Sequence, residues 1–255
     1  MDFVVIIPAR LASTRLPNKV LRTIAGEPML AHVCRAARAS GAAEVIVATD
    51  SEAVAEAARV AGVSACMTRA DHSCGTDRIA EVAAQNSWPD EAIVVNVQAD
   101  EPLMPPALID QVAAALANDT DAAIATAYTP IGDAETFHNP NVVKVVASAA
   151  GRAVYFSRAP IPFHRDSGNT DFARSARRHL GIYAYRAGAL KRFSAAAPGA
   201  LERIESLEQL RAYELNMPIA LVEAVEVPGP GVDTVEDIAL VEALMASRPA
   251  SESAS

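Results

Sequence analysis

MDFVVIIPARLASTRLPNK, residues 1–19, opens with five consecutive β-formers, Phe3 to Ile7, and closes them with Pro8. A short apolar run bounded by a breaker reads as a strand buried on both faces, as at the centre of a parallel sheet. In open α/β sheets, ligands bind in the crevice beyond the carboxyl ends of the strands. The loop in that place carries only positive charge, from Arg10, Arg15 and Lys19. It reads as a site for a polyanion such as a triphosphate. Taken alone, the three cations fit a solvated basic loop equally well.

Outward from this strand the pattern alternates. Pro28 and apolar residues at 29, 30, 33, 36 and 37 predict a helix ending at Gly41. Glu44 to Ala48 reads as a strand, Thr49-Asp50-Ser51 as the cap of a helix that Gly62 closes, and Val63 to Met67 as a short strand. Such β-α-β-α-β alternation implies right-handed crossovers and a parallel sheet. The polar stretch Thr68 to Arg78 leads into a helix through about Asn86, with Thr76 or Asp77 as its cap. Ile93 to Val97 is a further buried strand, and Gln98-Ala99-Asp100-Glu101-Pro102 follows its end. Pro105 to Ala117 is amphipathic. Ala122–Tyr128, Val142–Val146, Val154–Phe156, His179–Tyr185 and Leu221–Val227 read as strands, and Ser157 to Arg178 as loop. A helix is expected over Arg203–Leu215 with Ile204, Leu207 and Leu210 inward, and a last one over Asp233–Met245.

These readings give an α/β fold of Rossmann-like type: a mixed, mainly parallel sheet with helices on both faces. A smaller hairpin-rich portion is expected at about 130–230, within one domain of residues 1–245, followed by a flexible tail, 246–255. The formal net charge of −9 argues against general nucleic-acid or anionic-membrane binding, which needs basic excess. It also makes the basic opening loop a local feature. No apolar run approaches membrane-spanning length, and no signal-like segment precedes the first strand, so a cytoplasmic protein is expected. Three cysteines, Cys34, Cys66 and Cys74, lack the number and spacing of a disulfide framework or zinc site.

Four constellations can carry chemistry. The basic loop has no glycine between Pro8 and Gly26, so it is neither a P-loop nor a dinucleotide fingerprint. Phosphate binding would rest on backbone amides and on Arg10, Arg15 and Lys19, arginine giving bidentate contacts and lysine a point charge. Asp100, just after a buried strand, can hold a divalent cation, since Mg²⁺ uses few carboxylates plus substrate phosphates. An ordinary capping or loop aspartate reads the same way. Asp233 is a possible partner, or the N-cap of the last helix with Glu236 completing a capping box, or both. Ser73, Gly75 and Thr76 could offer donors to a base edge, although a plain helix start explains them too. Arg158, His164, Arg165, Arg177, Arg178 and His179 cluster with Phe156 and Tyr183, and suggest a second anionic ligand or simply balanced surface charge.

The motifs Ile7-Pro8-Ala9-Arg10, Ser13-Thr14-Arg15-Leu16-Pro17-Asn18-Lys19, Thr68-Arg69-Ala70-Asp71-His72 and Asn96-Val97-Gln98-Ala99-Asp100-Glu101-Pro102 resemble the 3-deoxy-manno-octulosonate (Kdo) cytidylyltransferase family. Tyr155-Phe156-Ser157-Arg158, Arg178-His179-Leu180-Gly181-Ile182-Tyr183, Leu207-Glu208-Gln209-Leu210-Arg211 and Gly231-Val232-Asp233-Thr234 agree in order, so the resemblance covers about residues 1–245. It implies a nucleotide-diphospho-sugar transferase fold and transfer of CMP from CTP to the anomeric hydroxyl of Kdo, with release of pyrophosphate, for lipopolysaccharide synthesis. Matched by position, Arg10, Arg15 and Lys19 would hold the triphosphate. Gly75 and Arg78 would read cytosine, and Gln98 would contact nucleotide or sugar. Asp100 and Asp233 would hold Mg²⁺, which with Lys19 makes these three the catalytic set. Arg165, His179, Tyr183, Glu208 and Gln209 would form the sugar pocket, with Arg158 as an addition.

The resemblance further implies a homodimer, with the hairpin-rich portion as its sugar-binding and dimerisation part. The chain departs from the pattern at Asn18 and Ala99, where the family generally has glycine, and at Cys74, where serine is commoner. Asparagine tolerates a left-handed backbone. Alanine at 99 requires either a negative φ or stored strain. The rival readings are a cytidylyltransferase for another acidic sugar, such as 8-amino-Kdo or sialic acid, and a non-catalytic nucleotide-binding module.

Overall fold

A computed structural model describes residues 2–13, 16–163, 165 and 175–247. In chain order the elements are β1 (Phe3–Pro8), β2 (Thr23–Ile24), β3 (Glu27–Pro28), α1 (Met29–Arg38), β4 (Glu44–Thr49), α2 (Glu52–Val60), β5 (Ser64–Met67) and α3 (Gly75–Gln85). They continue with β6 (Ile93–Asn96), α4 (Pro106–Ala117), β7 (Ile124–Pro130), α5 (Ala134–His138), β8 (Lys144–Ala147), β9 (Ala153–Ser157) and β10 (Arg177–Arg186). The last are α6 (Ala187–Ala195), α7 (Ala200–Glu205), α8 (Arg211–Glu214), β11 (Ile219–Glu223) and α9 (Val235–Ser247).

The chain forms two compact units. The first, called here the terminal unit, comprises Val4–Asn86, Asn96–Ile109 and Glu226–Ser255; the second, the central unit, comprises Met1–Phe3, Ser87–Val95 and Asp110–Val225.

In the terminal unit β1 pairs in parallel with β4, and β4 with β5. Val5, Ile6 and Ile7 have no accessible surface, as a strand covered on both faces requires. α1 buries Met29, Leu30, Val33, Cys34 and Ala37, one stripe at helical spacing. It stops at Arg38, short of Gly41, and Pro28 occupies its N-cap. α2 starts after Ser51, whose side chain makes no capping bond, and closes at Gly62 with φ +74°. Leu16, Ile24, Met29, Leu103, Val232 and Val241 form a core that joins the opening segment, the turn after β6, and α9.

The central unit is mixed. β7 pairs antiparallel with β10 and in parallel with β11, and β8 and β9 form an antiparallel pair. β10 bulges between Leu180 and Tyr183. The Thr126 hydroxyl lies 2.7 Å from the Ile182 carbonyl and 3.2 Å from that of Leu180, and so covers the carbonyls of the bulge.

The expected helix over 203–215 is broken. α7 ends at Glu205, its C-cap Ser206 is left-handed with φ 52°, and a 3₁₀ turn, Glu208–Leu210, precedes α8. Leu207 and Leu210 are buried as expected, but Ile204 is 80% exposed. The break has a polar cause. Ser157 and the Arg158 amide bond Glu205, while Arg211 forms a two-pronged pair with Glu202 at 2.6 and 2.8 Å. β11 ends at Glu223, leaving Val225 and Val227 exposed, so the expected strand is displaced toward its amino end. α5 and α6 lay outside the sequence reading. Of the expected tail, Ala246 and Ser247 complete α9, and 248–255 lie outside the described residues.

Candidate active site

Two loop closures in the terminal unit set the site. Asn18 adopts φ 56° and ψ 34°, the left-handed conformation asparagine tolerates, and starts a 3₁₀ turn over Lys19–Leu21. Beyond β6, the Glu101 amide bonds the Gln98 carbonyl at 3.2 Å, turning the chain at Ala99 and Asp100. The Val232 amide then donates to the Asp100 carbonyl at 2.9 Å, which brings the neighbouring Asp233 beside Asp100. Ala99 is absent from the positive-φ residues, so the negative-φ alternative holds and no left-handed strain is stored beside Asp100.

α9 is capped by Thr234 and Asp237, not by Asp233 and Glu236. The Asp237 carboxylate accepts from the Asp233 and Thr234 amides at 2.9 and 2.8 Å, and the Asp237 amide donates to the Thr234 hydroxyl at 3.3 Å. The Asp233 carboxylate is turned to Lys19 instead. Lys19 Nζ donates to Asp100 Oδ2 at 2.6 Å and to Asp233 Oδ1 at 3.0 Å, with only 14% of its side chain exposed. Burial works to lower the lysine pKa, but the Asp100 charge and the bonds to both carboxylates outweigh it and hold the ammonium above its ordinary value. Two hard oxygen donors therefore converge on one cationic atom. Among the described residues no three His, Cys, Asp or Glu side chains gather into a metal site. That donor set fits Mg²⁺ in the mode in which protein supplies two carboxylates and a substrate's phosphates supply more.

The α3 amino terminus closes the cavity from another side. Its cap is the Cys74 sulfur, which accepts from the Asp77 amide at 3.4 Å, so neither Thr76 nor Asp77 is the cap. The Ser73 hydroxyl donates to Asp77 Oδ2 at 2.8 Å. A Cβ on Gly75 would lie 3.2 Å from the Pro8 ring and 3.7 Å from Gln98 Oε1, so glycine keeps this approach open. Arg78 is buried; its guanidinium bonds the Thr68 hydroxyl and sits 3.4 Å from Asp50. Arg10, Lys19, Gly75, Arg78, Gln98, Asp100 and Asp233 line one cavity of about 240 Å³. Arg15 lies outside the described residues.

His72 lines the same cavity and was not among the predicted site residues. Its Nε2 bonds Glu81; burial opposes ionisation of that carboxyl, but this bond, the Arg69 amide and Gln85 together hold it below the ordinary range. The available signal was the motif Thr68-Arg69-Ala70-Asp71-His72, which ends on it; its bond to Glu81, nine residues on, forms only with α3.

The residues implied for a sugar pocket belong to the central unit. His179 and Tyr183 touch across the bulge with ring centroids 5.3 Å apart, and Phe156 meets His179 edge-on at 4.8 Å. His179 keeps an accessible edge, yet burial pushes its pKa down to about 3. Its Nε2 lies 3.0 Å from the Thr126 hydroxyl. That hydroxyl's single proton goes to a bulge carbonyl, so the neutral ring donates from Nε2 and keeps Nδ1 as an acceptor. Burial, then neighbours including Glu208, raises the Tyr183 pKa well above the ordinary value. Gln209 is buried and Arg165 is exposed. Arg158 is spent on backbone: its guanidinium donates to the carbonyls of Glu205, Pro140 and Ser206 at 2.8, 3.1 and 3.3 Å.

A model of the cytidylyltransferase family matches residues 4–219. A CMP:2-keto-3-deoxy-manno-octonic acid synthetase, solved in complex with CTP, is 40% identical over 96% of this chain and 99% of its own, with a TM-score of 0.89. Likeness of fold extends to a cytidylyltransferase from Leptospira borgpetersenii serovar Hardjo-bovis (strain JB197), at 17% identity and a TM-score of 0.62 over 98% of this chain and 89% of that one. It extends also to a 4-diphosphocytidyl-2C-methyl-D-erythritol synthase, at 12% identity and 0.65 over 96% and 98%. The extent of the family match and the first of these likenesses together establish that the chain belongs to the cytidylyltransferase family of nucleotidyltransferases.

Proposed function

We propose that this protein transfers CMP from CTP to the anomeric hydroxyl of Kdo and releases pyrophosphate. The observation that carries the reading is the convergence of Asp100, Asp233 and Lys19 in one cavity with the α3 amino terminus. The likeness to a CTP-bound CMP:2-keto-3-deoxy-manno-octonic acid synthetase supports the choice of substrates.

The sugar oxygen attacks the α-phosphorus of CTP, the bond from that phosphorus to the β-bridging oxygen breaks, and pyrophosphate leaves with the electron pair. The hydroxyl proton passes to solvent. Such a transfer needs in-line positioning and neutralised charge more than covalent help from protein. Arg10, Arg15 and Lys19 neutralise the triphosphate and the departing pyrophosphate. Gly75 and Arg78 fit the cytosine against the start of α3, and Gln98 contacts nucleotide or sugar. Asp100 and Asp233 are the residues that would hold Mg²⁺, which when bound supplies charge neutralisation and a lowered pKa for the attacking hydroxyl. His179, Tyr183, Glu208, Gln209 and Arg165 bind the acidic sugar. His179 Nδ1 is the acceptor available to a sugar hydroxyl, while Arg158 supports the pocket through the backbone it binds.

The same reading takes the protein as a cytoplasmic homodimer supplying lipopolysaccharide synthesis. No helix among the described residues is long and apolar enough to cross a membrane.

The test is pyrophosphate release against a panel of nucleoside triphosphates and acidic sugars, with 8-amino-Kdo and sialic acid included. Release should require CTP and Kdo together. Equal release with ATP or UTP would overturn the base assignment, and preference for another sugar would move the enzyme to that substrate.

A further inference from the structure

The two carboxylates suited to a divalent cation hold an ammonium. Lys19 Nζ bonds one oxygen of each, at 2.6 and 3.0 Å, and the lysine side chain is only 14% exposed. Without it, two like charges held side by side by the Val232-to-Asp100 backbone bond would repel. With it, a divalent cation arriving alone meets an occupied pair. It must displace the ammonium and leave that charge beside itself.

A polyphosphate changes the balance by giving Lys19 another anion to bind. The flexible four-carbon stem of lysine permits that exchange where the rigid fork of arginine would not serve as well. Lys19 starts a single 3₁₀ turn, so a swing of its side chain disturbs no long element.

We infer that Lys19 is a positioning residue that holds Asp100 and Asp233 together and yields them to a divalent cation when a polyphosphate takes its ammonium in exchange. Cation binding is thereby conditional on nucleotide, and by linkage nucleotide affinity gains the same factor from the cation. The inference rests on the reading of Asp100 and Asp233 as the cation-binding pair.

The test is Mn²⁺ binding followed by electron paramagnetic resonance of free Mn²⁺, on the full chain and with no substrate. Lys19→Met should bind Mn²⁺ about tenfold or more tightly than the wild type, within the usual range of such couplings. Lys19→Arg, which keeps the charge, should stay as weak as the wild type. Added CTP should tighten Mn²⁺ binding by a larger factor in the wild type than in Lys19→Met. A Lys19→Met affinity equal to or weaker than wild type would overturn the exchange. Tight binding that survives Asp100→Asn in the Lys19→Met background would overturn the carboxylate-pair reading itself, and the inference with it. The melting temperature supplies a second readout: Mn²⁺ should raise it more for Lys19→Met than for the wild type.

Discussion

Two lysines with little or no access to water have opposite surroundings. Lys19, in the terminal unit, is held by two carboxylates. Lys144, in the central unit, has no accessible surface and donates to the carbonyls of Val142, Arg158 and Asn139 at 2.5, 2.6 and 2.8 Å. Backbone carbonyls are fixed acceptors that no incoming cation can claim without undoing the loop they belong to. Carboxylates are mobile charges that attract whichever cation best satisfies them. On the proposed function the first lysine is part of the chemistry, and the second is part of the frame. Arg158 belongs with the frame, since its guanidinium also ends on carbonyls.

That contrast breaks if Lys144→Met behaves like a site variant. Removing the ammonium takes a donor from three carbonyls, of which that of Asn139 keeps the Val142 amide at 3.1 Å, and chemical denaturation should show a loss of about 3 kcal/mol. The KM for CTP of the protein that remains folded should be unchanged. A raised KM at unchanged stability would place Lys144 in the machinery.

A smaller effect sharpens the contrast through His179. Its pKa is about 3 in the folded chain against 6.5 unfolded, so below pH 6.5 the unfolded state binds a proton that the folded state refuses. Stability is complete above 6.5 and is lost as pH falls from there toward 3. Between pH 7 and pH 5 the loss should be about 2 kcal/mol. The difference between wild type and His179→Gln in urea unfolding at these two values isolates it. An identical pH dependence in both would mean that the ring is not held neutral by burial.

Much of the terminal unit was legible in the sequence because its determinants are local. The apolar run of β1, the stripe on α1 and the asparagine at 18 each act within a few residues. Asp100 and Asp233 could be placed at the ends of elements, and the family motifs named them as a pair. Their meeting on Lys19 could not be read, because it depends on the Val232-to-Asp100 bond across the fold. The same limit explains the central unit. Apolar spacing over Arg203–Leu215 predicts one helix, but Glu205 is drawn to Ser157, far back along the chain, Arg211 turns back onto Glu202, and the helix breaks at Ser206. The capping of α9 failed for a subtler reason. Asp233-x-x-Glu236 and Thr234-x-x-Asp237 are both plausible boxes one residue apart, and Lys19 takes Asp233 out of the competition.

The measurement that bears most directly on the role of the carboxylate pair is single-turnover pyrophosphate release by Asp100→Asn with CTP, Kdo and Mg²⁺. Circular dichroism and melting temperature serve as the check that the fold is retained. A metal-holding Asp100 requires a folded variant whose rate falls by about 10²–10³ or more, the scale of losing a principal electrostatic contributor. A folded Asp100→Asn protein that releases pyrophosphate at a near-normal rate would contradict it.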